Sequence, residues 1–158
     1  MSYTAYLNIG TNTGDRHDNL RQAVACLTRE FKGARIRLSD IVESVPWGYE
    51  SHNLYLNQGI AIESDGTPDP LNILHRILVV QNTMCTDPHR NADGSYRDRV
   101  IDIDLIAIDS LAVDTEELQL PHPRMHLREF VLRPMAQLDP GWRHPHSLLT
   151  PEEMLRRL

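Results

Sequence analysis

Lysine is almost missing from this chain of 158 residues: Lys32 is the only one, so nearly all of the sixteen basic residues are arginine. Arginine's planar fork grips phosphate and carboxylate through two parallel hydrogen bonds. A compositional bias of the genome would give the same excess, so it decides nothing alone. Cysteine is scarce as well. Cys26 and Cys85 form neither a disulfide framework nor a metal-type pair, and a reducing cytoplasm is the expected compartment. No apolar run approaches the roughly 20 residues that span a bilayer, and the opening MSYTAYLNIG lacks a signal peptide's basic and apolar regions. Positive charge is in deficit too: the net charge of -6 excludes a nucleic-acid binder working through bulk electrostatics. What is present is ordinary globular material. Hydrophobic residues at 41% and charged residues at 24% exclude wholesale disorder and suffice for one core. With no repeat or linker, a single domain over 1–158 is expected.

Tyr3 to Ile9 reads as a strand ending in the turn GTNTGD, with Asp15 as N-cap of the next helix. Leu20, Ala23, Val24, Leu27 and Phe31 recur at helical spacing, and Gly33 stands where that helix should stop. Ala34 to Val45 and Tyr55 to Glu63 read as strands separated by the Pro-Gly loop PWGYESHN. Pro70 opens a second helix that runs to about Met84. An aperiodic stretch over 86–99 follows, of a length that is usually functional or disordered. VIDIDLIAID is the most strand-like segment, and Thr150, Pro151 and Glu153 mark a capped terminal helix. The order predicts an α+β, ferredoxin-like β-α-β-β-α-β antiparallel sheet with two helices on one face and a C-terminal extension, leaving the other face for a site.

Asp102 and Asp104 carry the sharpest chemical signal. Alternation puts both carboxylates on one face of a strand, with Cα atoms about 6.6–7 Å apart, while Ile101, Ile103 and Leu105 turn into the core. Two such charges on an apolar strand repel each other unless something positive lies between them. Hard oxygen donors without nearby cysteine suit Mg²⁺; an arginine partner, Arg99, would serve equally. Arg90, Arg97 and Arg99, with Arg124 and Arg128 further on, could neutralise a polyphosphate or simply be solvated. Trp47, Tyr55, Asn57 and Phe130 offer aromatic faces and an amide edge to a flat heterocycle, although core packing explains Tyr55 and Phe130 as well. His122 and His126 have i, i+4 spacing, but Pro121 and Pro123 argue against a helical zinc pair. GTNTGD lacks the Gly-Lys-Ser/Thr ending of a Walker loop, so a nucleotide must be held otherwise.

Together the blocks YLNIGTNTGDRHDNL, SVPWGYESHNLYLN, RVIDIDLIAID and LPHPRMHLREFVLRPM resemble, in order and over about Ala5 to Pro145, the 6-hydroxymethyl-7,8-dihydropterin pyrophosphokinase family of folate synthesis. The resemblance implies an ATP-dependent diphosphotransferase that moves pyrophosphate to the pterin's hydroxymethyl group and releases AMP. It implies two Mg²⁺ ions on Asp102 and Asp104, and a pterin pocket of Ser44, Val45, Trp47, Tyr55, Asn57 and Phe130. ATP contacts are implied at Arg99, His122 and Arg128, with Leu105 against the nucleotide.

Departures from the family pattern cluster upstream of the aspartates. The family's Trp-Gly-Pro-Arg run is Tyr96-Arg97-Asp98-Arg99 here, so Tyr96 is left to stack on the pterin. Gln81 replaces a glutamate, and Arg90 is the candidate for an arginine that does not align. The 86–99 stretch is expected to close over both ligands. An inactive pterin- or nucleotide-binding ferredoxin-like module is the alternative. Small-molecule substrates are the expected partners, with neither nucleic acid nor membrane.

Overall fold

The computed structural model describes residues 1–84, 92, 93, 98 and 100–158. Its first half follows the sequence pattern closely: strand β1 spans Ser2–Thr11, helix α1 Arg16–Glu30, strand β2 Arg35–Ser44, strand β3 Tyr55–Asp65 and helix α2 Pro70–Met84. The helix starts are chemically marked. Asp15 accepts the N–H of Asp18 at 3.1 Å, and Asp69 accepts that of Asn72 at 3.2 Å, each satisfying a donor that the first turn leaves free. Gly33, at φ +90°, reverses the chain after α1.

Strand β4, Asp102–Ile108, completes an antiparallel sheet of order β2-β3-β1-β4, the ferredoxin-like arrangement. Helices α1 and α2 cover one face, where Leu20, Leu27, Ile73 and Ile77 pack on Leu7, Ile9, Ile60, Ile62 and Ile103. Each such side chain contributes roughly 1.5–3 kcal/mol relative to an exposed position. Residues Ile101, Ile103 and Leu105 belong to this core, as alternation requires.

The opposite face departs from expectation. It was predicted to be left for a site, yet half of it is covered by helix α3, Glu129–Leu138. Val131, Leu132, Met135 and Leu138 form a second core with Tyr6, Ala61, Ile106 and Trp142. The helix comes so close that a Cβ on Gly59 would stand 2.7 Å from Pro134 Cβ. Only glycine admits that approach. A short two-stranded ribbon, β5 (Val113–Asp114) with β6 (Gln119–Leu120), was not apparent in the sequence. Helix α4, Pro151–Leu155, has the expected capping box between Thr150 and Glu153. None of the described helices is long and apolar enough to cross a membrane.

One irregularity matters for the site. Along β1 and β4, Leu7 faces Leu105 while Tyr6 faces Ala107, so Ile106 is an extra residue, a β-bulge. Beyond it Ile108 joins the first core, although it has the same sequence parity as Asp102 and Asp104.

Candidate active site

The uncovered half of the second face is built from two rows in register. Asn57, Gly10 and Asp102 lie abreast on β3, β1 and β4, followed by Gly59, Asn8 and Asp104. Residues of one strand face recur every second position, which brings both carboxylates beside Asn8 and Gly10. A cleft of about 160 Å³ opens over them, walled by Ser44, Val45, Trp47, Tyr55, Phe130 and Arg128. Gly10 keeps its floor open, because a Cβ there would lie 3.3 Å from Asn57 Oδ1. Asn57 is fixed by donating from Nδ2 to Ser44 Oγ at 2.7 Å and to the Val42 carbonyl at 3.3 Å.

A second cleft of about 390 Å³ lies across the same strand, lined by Leu105, Gln81, Leu78 and Glu117. Asp102, Asp104 and His122 border both clefts. A larger hollow of about 720 Å³, between the β5–β6 ribbon and the C-terminal segment, touches neither aspartate.

Arg128 is buried, with its guanidinium carbon 4.5 Å from the Trp47 ring centre and 5.7 Å from that of Phe130. One of its terminal nitrogens is 3.9 Å from Asp104 Oδ2. Its Nε and the Oδ1 of Asn8 are buried without a hydrogen-bond partner among the described residues. The other end of Asn8 has a clear task. Pro134, inside α3, has no N–H for the carbonyl of Phe130, four residues back. Asn8 Nδ2 donates to that carbonyl instead, at 3.4 Å.

His122 is anchored by its backbone N–H on the Ile106 carbonyl at 2.7 Å. Burial, reinforced by Arg128 and Arg124 and opposed by Asp102, pushes its pKa down to about 4. The ring is therefore neutral near pH 7. Since Nδ1 accepts the backbone N–H of Arg124 at 3.2 Å, the proton is assigned to Nε2.

Asp98 draws four side chains together, among them that of Tyr49, which lines the first cleft. Its Oδ1 accepts from Asn12 Nδ2 at 2.8 Å and Tyr49 Oη at 3.1 Å; its Oδ2 accepts from Ser51 Oγ at 3.1 Å and Asn53 Nδ2 at 2.8 Å. Burial pushes this carboxyl up, but the hydrogen bonds from Ser51, Asn12, Tyr49 and Asn53 outweigh it and hold it below the usual range.

Of the residues singled out from sequence, Ser44, Val45, Trp47, Tyr55, Asn57, Phe130, Asp102, Asp104, His122 and Arg128 meet at the first cleft, and Leu105 lines the second. Arg90, Tyr96, Arg97 and Arg99 lie outside the described residues, as does most of the 86–99 stretch expected to act as a lid. Asn8, Gly10 and Tyr49 were missed. Gly10 and Asn8 left a trace: residues poor at forming strands, two positions apart on one face, mark a close approach.

Two carboxylates with no sulfur donor beside them make a hard-oxygen site. Among the described residues no group of three or more His, Cys, Asp or Glu side chains is placed to hold a metal ion. That donor set fits Mg²⁺, which takes one or two carboxylates and completes its shell with water and phosphate oxygen.

Residues 6–140 match the model of the 7,8-dihydro-6-hydroxymethylpterin-pyrophosphokinase (HPPK) family. A 2-amino-4-hydroxy-6-hydroxymethyldihydropteridine pyrophosphokinase of Porphyromonas gingivalis is 37% identical over 143 residues, covering 90% of this chain and 94% of the relative. The protein of the same name in Bacillus subtilis is 33% identical over 138 residues, 87% of this chain and 79% of the relative. Among solved structures, the wild-type HPPK-DHPS of Plasmodium falciparum with pteroate superimposes with a TM-score of 0.73 at 14% identity. It covers 99% of this chain and 42% of its own, so this chain spans less than half of that solved chain, and the likeness bears on fold alone. By the family match and the relatives' coverage, this chain belongs to the 7,8-dihydro-6-hydroxymethylpterin-pyrophosphokinase family.

Proposed function

We propose that the chain transfers the terminal pyrophosphoryl unit of ATP to the hydroxymethyl oxygen of 6-hydroxymethyl-7,8-dihydropterin, releasing AMP, as a cytoplasmic enzyme of folate synthesis. The observation that carries this reading is the shared wall: the aromatic cleft and the larger polar cleft meet at Asp102, Asp104 and His122. Two substrates entering from opposite sides are then held with their reacting ends together. Such positioning is worth roughly 7–11 kcal/mol of barrier when the ends are in line.

The pterin fits the first cleft. Its ring takes the faces of Trp47, Tyr55 and Phe130, and its amide edge takes Asn57, with Ser44 and Val45 at the rim. ATP fits the second, with its base end against Leu105. His122 offers Nε2–H to phosphate without bringing net charge, and Arg128 offers a guanidinium from beside Asp104. Arg90, Arg99 and Tyr96 are assigned the remaining phosphate and pterin contacts. Asp102 and Asp104 would hold the divalent cations, two Mg²⁺ by resemblance. When bound, these supply charge neutralisation to the phosphate oxygens. Asp104 is assigned the proton that the attacking hydroxyl loses.

Incubating the protein with ATP, Mg²⁺ and the reduced pterin, and following AMP, tests this directly. Stoichiometric AMP and pterin diphosphate are expected. Pterin binding with no AMP over hours would leave the inactive binding module as the correct reading.

A further inference from the structure

The surroundings of Asp98 give its carboxylate a purpose. The four donors on its carboxylate are neutral side chains from two separate segments: Asn12 at the end of β1, and Tyr49, Ser51 and Asn53 in the loop between β2 and β3. That loop carries Trp47, and its far end is already tied down, with Arg16 donating to the Leu54 carbonyl at 2.9 Å and Asn12 to that of Asn53 at 3.2 Å. Asp98 holds the loop from Tyr49 to Asn53. From it the chain of contacts runs inward, since Tyr49 Oη lies 2.9 Å from Tyr55 Oη, and Tyr55 is a wall of the aromatic cleft.

We propose that Asp98 is a positioning residue whose carboxylate clasps the 46–54 loop and, through Tyr49, sets the Tyr55 ring and the rim of the aromatic cleft before any ligand arrives. The proposal deepens the reading of that cleft as the pterin site and rests on it. A carboxylate accepting several hydrogen bonds is a stronger anchor than a neutral acceptor. Ordering a loop in advance removes a cost otherwise charged to binding. The clasp therefore acts on affinity for the flat ligand, and the chemical step at Asp102 and Asp104 proceeds at its own rate once the ligand is seated.

The test compares the wild-type chain with Asp98→Ala, Asp98→Asn, the pair Ser51→Ala/Asn53→Ala, and all three alanine changes combined. Amide hydrogen exchange over 46–54 is measured without ligand; the pterin dissociation constant is measured by calorimetry, and kcat from AMP release. Asp98→Ala should speed loop exchange at least tenfold and weaken pterin binding about tenfold, with kcat within about threefold. Asp98→Asn, which keeps one acceptor oxygen, should fall between it and the wild type. Adding Asp98→Ala to the loop pair should cost less than Asp98→Ala alone, because two of the four bonds are already gone. Unchanged exchange and pterin affinity would overturn the proposal, as would additive losses or a fall confined to kcat. If the wild-type chain makes no AMP, the reading of the site fails, while the exchange measurement still judges the clasp.

Discussion

The side-chain oxygen of Gln81 accepts the backbone N–H of Ile103 at 2.8 Å, and Ile103 is the residue between Asp102 and Asp104. Strand β4 is the last in the sheet order, so its outward N–H groups lack a neighbouring strand. Helix α2 supplies one acceptor at the peptide that sets the spacing of the two carboxylates. Gln81→Met, close in shape but unable to accept this bond, should cost about 1–3 kcal/mol, the range for leaving a buried donor unsatisfied. Urea denaturation measures it, and an unchanged midpoint would show the bond to be dispensable.

Removing either charge at the shared wall should separate activity from folding. Asp102→Asn and Asp104→Asn are expected to lower AMP production by on the order of 10²-fold or more. Both variants should fold, with some stability lost in Asp104→Asn because it takes the carboxylate away from buried Arg128. Near-normal turnover of either variant at saturating Mg²⁺ would remove these residues from the mechanism.

Asn8 and Pro134 should prove thermodynamically coupled. Asn8→Leu leaves the Phe130 carbonyl without its donor and should destabilise by about 1 kcal/mol. Pro134→Ala restores a backbone N–H four residues after Phe130, so Asn8→Leu made on that background should cost less. A double-mutant cycle measures the difference; strictly additive values would mean the 3.4 Å contact contributes nothing.

The pH dependence of stability has a definite sign at His122. Its pKa falls from an ordinary 6.5 in the unfolded chain to about 4 when folded. Between those values the unfolded chain binds a proton that the folded chain refuses. In the metal-free protein this contribution is therefore full above about pH 6.5 and is lost as pH falls towards 4, by up to roughly 3 kcal/mol. His122→Gln should flatten the stability curve over that window. A slope identical to the wild type's would place the His122 proton elsewhere.

Much of this was legible because local and tertiary signals agree. Pro70 at a helix start and apolar residues at helical spacing placed α2 at its observed bounds, and strict alternation placed Asp102 and Asp104 on one face. The bounds of helix α3 were not legible, because Pro134 lacks the donor for Phe130 and Asn8, 122 positions before Phe130 in the chain, supplies it. No local pattern carries such a bond. The cover over half the sheet was missed for the same reason. Asp98 read as a departure from a family pattern, and only the convergence of four donors on it reveals an anchor.

The bulge at Ile106 has a consequence for how this chain can vary. It changes the phase of β4 halfway along, so that an acid-bearing half and a wholly greasy half each face correctly with one continuous strand. Deleting Ile106 would leave Leu105 opposite Leu7 and Ala107 opposite Tyr6 in plain alternation, so both halves would keep their faces and only the Ile106 side chain and the local twist would be lost. The bulge is thus a place where β4 can differ by one residue without turning over either half, which a regular stretch of strand does not allow.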